Sequence, residues 1–161
     1  MKKIIMVVAA MALSIASFAQ DAKSIYNKYS DKANVSAVYV SPSMFKLIGN
    51  LPDIDMPEGE VNITPFVRQM DGMYLIDSEN SEINASILAD AEKLVKSSKY
   101  ELLIEAKDGG EAVRIYTISD ADTVSNFVMI ASEPEECTFI SINGKIAKKD
   151  LEKLLSAAVN N

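Results

Sequence analysis

The stretch Tyr100-Glu101-Leu102-Leu103-Ile104-Glu105-Ala106-Lys107-Asp108-Gly109-Gly110-Glu111-Ala112-Val113-Arg114-Ile115-Tyr116-Thr117-Ile118 decides the architecture. Its first half alternates, with Leu102, Ile104 and Ala106 on one side and Glu101, Leu103, Glu105 and Lys107 on the other, which is the period of a strand. Asp108-Gly109-Gly110-Glu111 then supplies two glycines that accept the positive φ angles of a two-residue primed turn. The apolar pattern resumes at Ala112 and runs to Ile118, so the stretch reads as a β-hairpin. Strands joined this tightly must be antiparallel.

Just upstream the period is 3.6. Ile83, Ile87, Ala91, Leu94 and Val95 recur at three- and four-residue steps, predicting a helix over about Glu82–Ser97. Ser81 suits its cap, Glu82 its positive end, and Lys93 and Lys96 its negative end. Downstream, the apolar runs Asn126–Ala131 and Cys137–Ile142 read as two more strands, with Asn143-Gly144 as the turn out of the second. Lys148–Val159 then carries Leu151, Leu154, Leu155, Ala158 and Val159 at helical spacing.

Toward the N-terminus, Ala22–Lys32 reads as a helix with Ile25, Tyr26 and Tyr29 inward, and Val35–Ser41 as a strand ended by Pro42. Ser43–Ile48 reads as a short helix, with Ser43 suited to cap it. Gly49–Thr64, with Pro52, Pro57 and several acids, reads as a long loop. Thr64–Met70 holds a helical turn or two with Pro65 at the first position, and Gly72–Asp77 is another strand. The sum is an α+β fold: a mainly antiparallel sheet of about six strands, with amphipathic helices packed on one face. The polar alternate positions leave the other face at least partly open to water or to a partner.

The first residues carry a different message. Lys2 and Lys3 precede the apolar run Ile4–Ala16, and Ser17-Phe18-Ala19 places small residues where a signal peptidase looks. A cleavable export signal over 1–19 is expected, cut between Ala19 and Gln20, with a single α+β domain over 20–161. The run is shorter than the roughly 20 residues that span a bilayer, so the mature form is expected to carry no membrane span and to reside in the periplasm or outside the cell. A lipid anchor needs a cysteine at the cut, whereas the one cysteine is Cys137.

Composition excludes more than it identifies. The 161 residues hold 16 Lys and Arg against 23 Asp and Glu, and loss of Lys2 and Lys3 leaves a mature charge of −9. Such a chain repels phosphate backbones and anionic lipid, which argues against a nucleic-acid partner. There is no histidine, which removes Ser-His-Asp and Cys-His sites, His-ligated zinc and the commonest neutral-pH base. Cys137 cannot form an internal disulfide, and it opens an apolar strand where a buried inert thiol is expected.

The remaining patterns are weak. Ser43-Met44-Phe45-Lys46 has Ser-x-x-Lys spacing, which puts both side chains on one helix face, but the partner motifs of that nucleophile class are missing. Acidic groups at Asp53, Asp55, Glu58 and Glu60, at Asp77 and Glu79, and at Asp120 and Asp122 lack the register of a calcium loop: counted from Asp53, Glu58 stands at position six and Thr64 at twelve. No metal or other cofactor is expected. Arg114 and Tyr116, two apart on a strand, share a face and offer a grip for a carboxylate or a partner strand, and Asp53 and Asp55 offer a second surface. Asp122-Thr123-Val124 matches a loose bacterial O-glycosylation acceptor at Thr123.

Five segments together resemble a known family: Ile25–Tyr29, Val35–Pro42, Gly72–Ile76, Tyr100-Glu101-Leu102-Leu103 leading into Lys107–Gly110, and Ile140–Ile146. In these the mature chain is similar to domain-of-unknown-function family 4252, a group of exported bacterial proteins. The resemblance implies a signal sequence and one compact domain, and it transfers no catalytic residue. The expected function is therefore a non-enzymatic exported envelope domain that binds an envelope protein or a small ligand. The alternative is a carboxylate-based hydrolase acting on cell-wall or dietary glycans, which needs two acids converging in a pocket with one held protonated.

Overall fold

The computed structural model describes residues 21–49 and 64–152. In order these form α1 (Ala22–Tyr29), β1 (Val35–Val40), α2 (Pro42–Gly49), α3 (Thr64–Val67), β2 (Met70–Ser78), α4 (Ser81–Ser97), β3 (Glu101–Asp108), β4 (Glu111–Ser119), β5 (Thr123–Ser132) and β6 (Cys137–Ala147). The six strands make one sheet in the order β1-β2-β6-β5-β4-β3, antiparallel at every pairing. Strands β3 to β6 are a meander, and α4 carries the chain from β2 across to the far edge at β3. Gly109 and Gly110 take φ of 53° and 101° in the β3–β4 turn, a conformation that costs glycine little. The α+β reading of the sequence holds.

The core lies between the sheet and the pair α1 and α4. Ile25 and Tyr29 from α1, and Ile87, Ala91, Leu94 and Val95 from α4, meet Ile76, Val128, Ile130, Cys137 and Phe139 of the central strands. Each large side chain so buried contributes about 1.5–3 kcal/mol. The two helices are also joined by Asp90, whose Oδ2 accepts from Lys28 Nζ and from Tyr29 Oη, both at 2.7 Å. Burial pushes the Asp90 carboxyl up, but these two donors outweigh it and hold the group below its ordinary value.

Several local expectations need correcting. The cap of α4 is Asn80, not Ser81: its side chain accepts from the Glu82 N–H while its backbone stays extended. Ser41, not Ser43, caps α2, accepting from the Met44 N–H at 3.2 Å. Asn143 and Gly144 do not form a turn; β6 runs through them to Ala147. Gly144 is needed there for a different reason, since a Cβ would stand 2.6 Å from the Gln69 carbonyl oxygen. The helical turn at Thr64 ends at Val67, and Met70 already belongs to β2.

The alternation of β3 is also broken. Leu102 pairs with Tyr116 but Ile104 pairs with Ile115, so Leu103 is an extra residue and Leu102 and Ile104 point to opposite faces. The second sheet face carries the polar row Ser36, Asp77 and Thr138, but it is largely apolar. Pairing places Val38, Leu75, Ile140, Met129, Ile115 and Ile104 on it, along with Val40, Met73, Ile142 and Phe127. Most of these are half-buried, while Ile104 near the β3 edge is 54% exposed and Val38 at the opposite edge 45%. The Gly49–Thr64 loop lies outside the described residues beyond its two ends. Of the expected C-terminal helix, 148–152 is helical and the remainder lies outside them too.

Candidate functional site

Where the first turn of α1 meets the last turn of α4, no described residue covers the sheet beneath, and a cleft of about 440 Å³ opens. Tyr74 from β2, Ile118 from β4, Asn126 from β5, and Ser141 and Asn143 from β6 form its floor. Asp21, Ala22 and Lys23 from α1, Leu94 and Ser98 from α4, and Tyr100 form its walls. Its size falls in the range of small-molecule sites.

Sequence position explains why polar groups collect here. On β6, Cys137, Phe139 and Ser141 all point to the helix-covered face, and the first two sit in the core. Ser141 continues that parity one step further, opposite Tyr74 on β2 and Val128 on β5, where a core residue is expected. It is 1% exposed, and among the described residues its Oγ has no hydrogen-bond partner. An orphaned buried hydroxyl costs about 1–3 kcal/mol, so its retention calls for a use.

Asn126 is the second anomaly. The register of β5 shifts between Ser125 and Phe127, and Asn126 takes up the shift at φ 53°, in the left-handed region. Asparagine tolerates that region better than most residues, yet inside a strand it stores strain, and such residues cluster at functional sites. The irregularity turns Asn126 into the cleft beside Asn143 and Ser141.

Tyr74 forms an aromatic wall that extends out of the cleft. Its ring stacks on Tyr39 at 4.9 Å between centroids and 19° between planes, and lies 5.5 Å from Tyr26. Tyr39, on the edge strand, is 47% exposed, so the tyrosines run from the cleft to the sheet margin. Burial raises the Tyr74 and Tyr100 phenols above their ordinary value, so both stay protonated donors at neutral pH. The charges at the rim are spent or balanced. The Asp21 carboxylate accepts from the Ser24 N–H at 2.7 Å to cap α1, and Lys23 stands two residues away. The positive end of α1 and the negative end of α4 meet at the same opening and oppose one another.

The residues singled out in the sequence lie elsewhere. Arg114 does share a face with Tyr116, but its Nε donates to Glu105 Oε2 at 2.7 Å across the β3–β4 pair, and Nη1 lies 3.6 Å from Glu92 on α4. Glu105, held by Lys107 and then Arg114, sits below the ordinary carboxylate range. Tyr116 packs against the core. Asp53, Asp55, Ala19 and Gln20 are outside the described residues. Ser43 and Lys46 are both exposed on α2. Asp120 accepts from the Asp122 and Thr123 N–H groups, and Thr123 starts β5 opposite Ala147.

Cys137 is buried and its thiol is pushed up to about 11, first by burial and then by Asp77. Asp77 also raises the carboxyl of Glu136 by repulsion, but Glu136 is solvated and neither acid lines the cleft. Among the described residues no group of three or more potential ligands is placed to hold a metal. No helix among them is long and apolar enough to cross a membrane.

No chemical motif points to Ser141, Asn126, Asn143, Tyr74 and Tyr100 as a site, although all but Asn126 fall in the segments that carry the family resemblance. Two leave a further trace, a serine on the core parity of β6 and an asparagine in the apolar run Asn126–Ala131. Residues 29–154 match the family model described as Domain of unknown function (DUF4252). No curated protein matches the chain.

Proposed function

We propose, since the chain belongs to the DUF4252 family, that it is an exported, non-enzymatic envelope domain that binds a small polar molecule in the cleft over Ser141. The observation that carries this reading is the orphaned Ser141 Oγ at the floor of a 440 Å³ opening. A ligand hydroxyl or carbonyl supplies the missing partner, and folding tolerates the cost because binding relieves it. The described lining offers hydroxyls and carboxamides with Asp21 as its single carboxylate, where glycoside hydrolysis needs two, and this supports binding over turnover.

Native mass spectrometry after dialysis against the small-molecule fraction of an envelope extract tests it. A bound small molecule is expected, and it should be lost when Asn126→Gly and Asn143→Ala are combined. A bare chain, or an adduct indifferent to both substitutions, overturns the reading. Export rests on the Lys2-Lys3, Ile4–Ala16 and Ala19 pattern. The intact mass of the exported form should correspond to a chain starting at Gln20; retention of Met1 or a lipid adduct would refute it.

A further inference from the structure

The chemistry of the cleft restricts what it binds. We infer that its ligand is an uncharged saccharide, held by the Asn126, Ser141 and Asn143 side chains with a sugar face against the Tyr74 ring. The inference rests on the cleft being a binding site and adds the class of ligand.

Charge argues first. Anionic ligands are gripped by guanidinium groups, several lysines or an unopposed helix N-terminus. Among the described lining residues there is no arginine and one lysine, at the rim. The α1 N-terminus is already occupied by its own Asp21. Cationic ligands need carboxylates, and Asp21 is the one acid in the lining, committed to its cap. A charged group brought here is desolvated without a partner, which is costly.

Hydrogen-bonding capacity argues next. Two carboxamides, a serine hydroxyl and protonated phenols each offer donors, and all can accept as well. That mixture matches a molecule whose every polar group both donates and accepts, as sugar hydroxyls do. The apolar contribution comes from an aromatic ring in place of an aliphatic pocket. The C–H face of a pyranose lies on such a ring, and Tyr39, stacked at 4.9 Å on one face of Tyr74, leaves its other face for that contact.

The test is saturation-transfer NMR and calorimetry on the full chain. The probes are a neutral panel (glucose, galactose, N-acetylglucosamine, cellobiose and maltose), with glucuronate, glucosamine and the dipeptide Ala-Ala as controls. At least one neutral sugar should bind, and the charged analogue of a bound sugar should bind at least tenfold more weakly. Ser141→Ala and Asn143→Ala should each weaken binding about 3–10-fold, the loss of one hydrogen bond, while circular dichroism and melting report an intact fold. Asn126→Gly, which keeps the left-handed backbone and removes the carboxamide, should do the same. Binding of glucuronate, glucosamine or Ala-Ala in preference to neutral sugars overturns the ligand class and leaves the binding site standing. Silence from every probe, together with a bare chain in the envelope-extract experiment, overturns both.

Discussion

Replacing Ser141 with alanine should make the protein more stable and worse at its task. The hydroxyl is buried at 1% exposure and unpartnered, a condition that costs about 1–3 kcal/mol. Removing the oxygen leaves a small void, which takes back a few tenths of a kcal/mol at about 24 cal/mol per Å³. The balance is a gain of about 0.7–2.7 kcal/mol. For a domain of this size one kcal/mol moves the melting temperature by about 2–4 °C, so Ser141→Ala should melt roughly 1–11 °C higher. Differential scanning calorimetry at pH 7 without ligand measures it, with Ser125→Ala, whose hydroxyl donates to the Ile118 carbonyl at 3.3 Å, as the control that should lose stability. A lower melting temperature for Ser141→Ala would mean that the hydroxyl has a partner in the free protein, and the argument for a waiting ligand would fail.

Other consequences follow from the packing. Tyr29→Phe removes a hydrogen bond to a charged carboxylate and should cost about 1.5–3 kcal/mol in urea unfolding. Asp90 lies below its unfolded value, so the stability it contributes is present at neutral pH and is lost as pH falls through its folded value; Tyr29→Phe should shrink that acid loss. Gly144→Ala should cost about 1–3 kcal/mol because its Cβ meets backbone at 2.6 Å, whereas Gly72→Ala, with 3.6 Å to its nearest neighbour, should cost little. Equal thermal melts for the two would contradict the close approach at Gln69. Cys137, with its thiol pushed up to about 11, should resist iodoacetamide at pH 8 in the native state and react only on unfolding.

The fold was largely legible because its strongest signals are periodic. The stripe Ile83–Val95 placed α4 on the sheet, and Gly109-Gly110 placed the β3–β4 turn. Apart from helix caps displaced by a residue or two, what sequence misread in the sheet shares one cause, which is that strand parity is interrupted by residues that look ordinary. Leu103 is an extra leucine in a leucine-rich strand, and nothing local distinguishes it from its neighbours. Asn143-Gly144 has the composition of a turn, yet β6 continues through it, paired with β2 across a bulge between Met70 and Gly72, and the glycine answers a contact with Gln69, 75 positions away. Polar alternate positions suggest a second sheet face partly open to water or a partner, and the inner strands also put Leu75, Ile140 and Met129 there.

The site was hidden for a related reason. Serine and asparagine carry no motif, and their importance comes from a parity that becomes visible only when β2, β5 and β6 are laid side by side. Arg114 stands out in the sequence for sharing a face with Tyr116, but its charge is met by Glu105 and Glu92. The acids of a chain this acidic are mostly solvated or committed to caps and turns, as Asp21 and Asp120 are.

The claim that the cleft is where this domain works is tested most directly by amide chemical-shift mapping during titration with the small-molecule fraction of the envelope. The account predicts shifts concentrated on Tyr74, Leu94, Asn126, Ser141 and Asn143, saturating together as one site. Shifts gathered instead on Val38, Leu75 and Ile140 of the opposite sheet face, or no saturable shift at all, would contradict it.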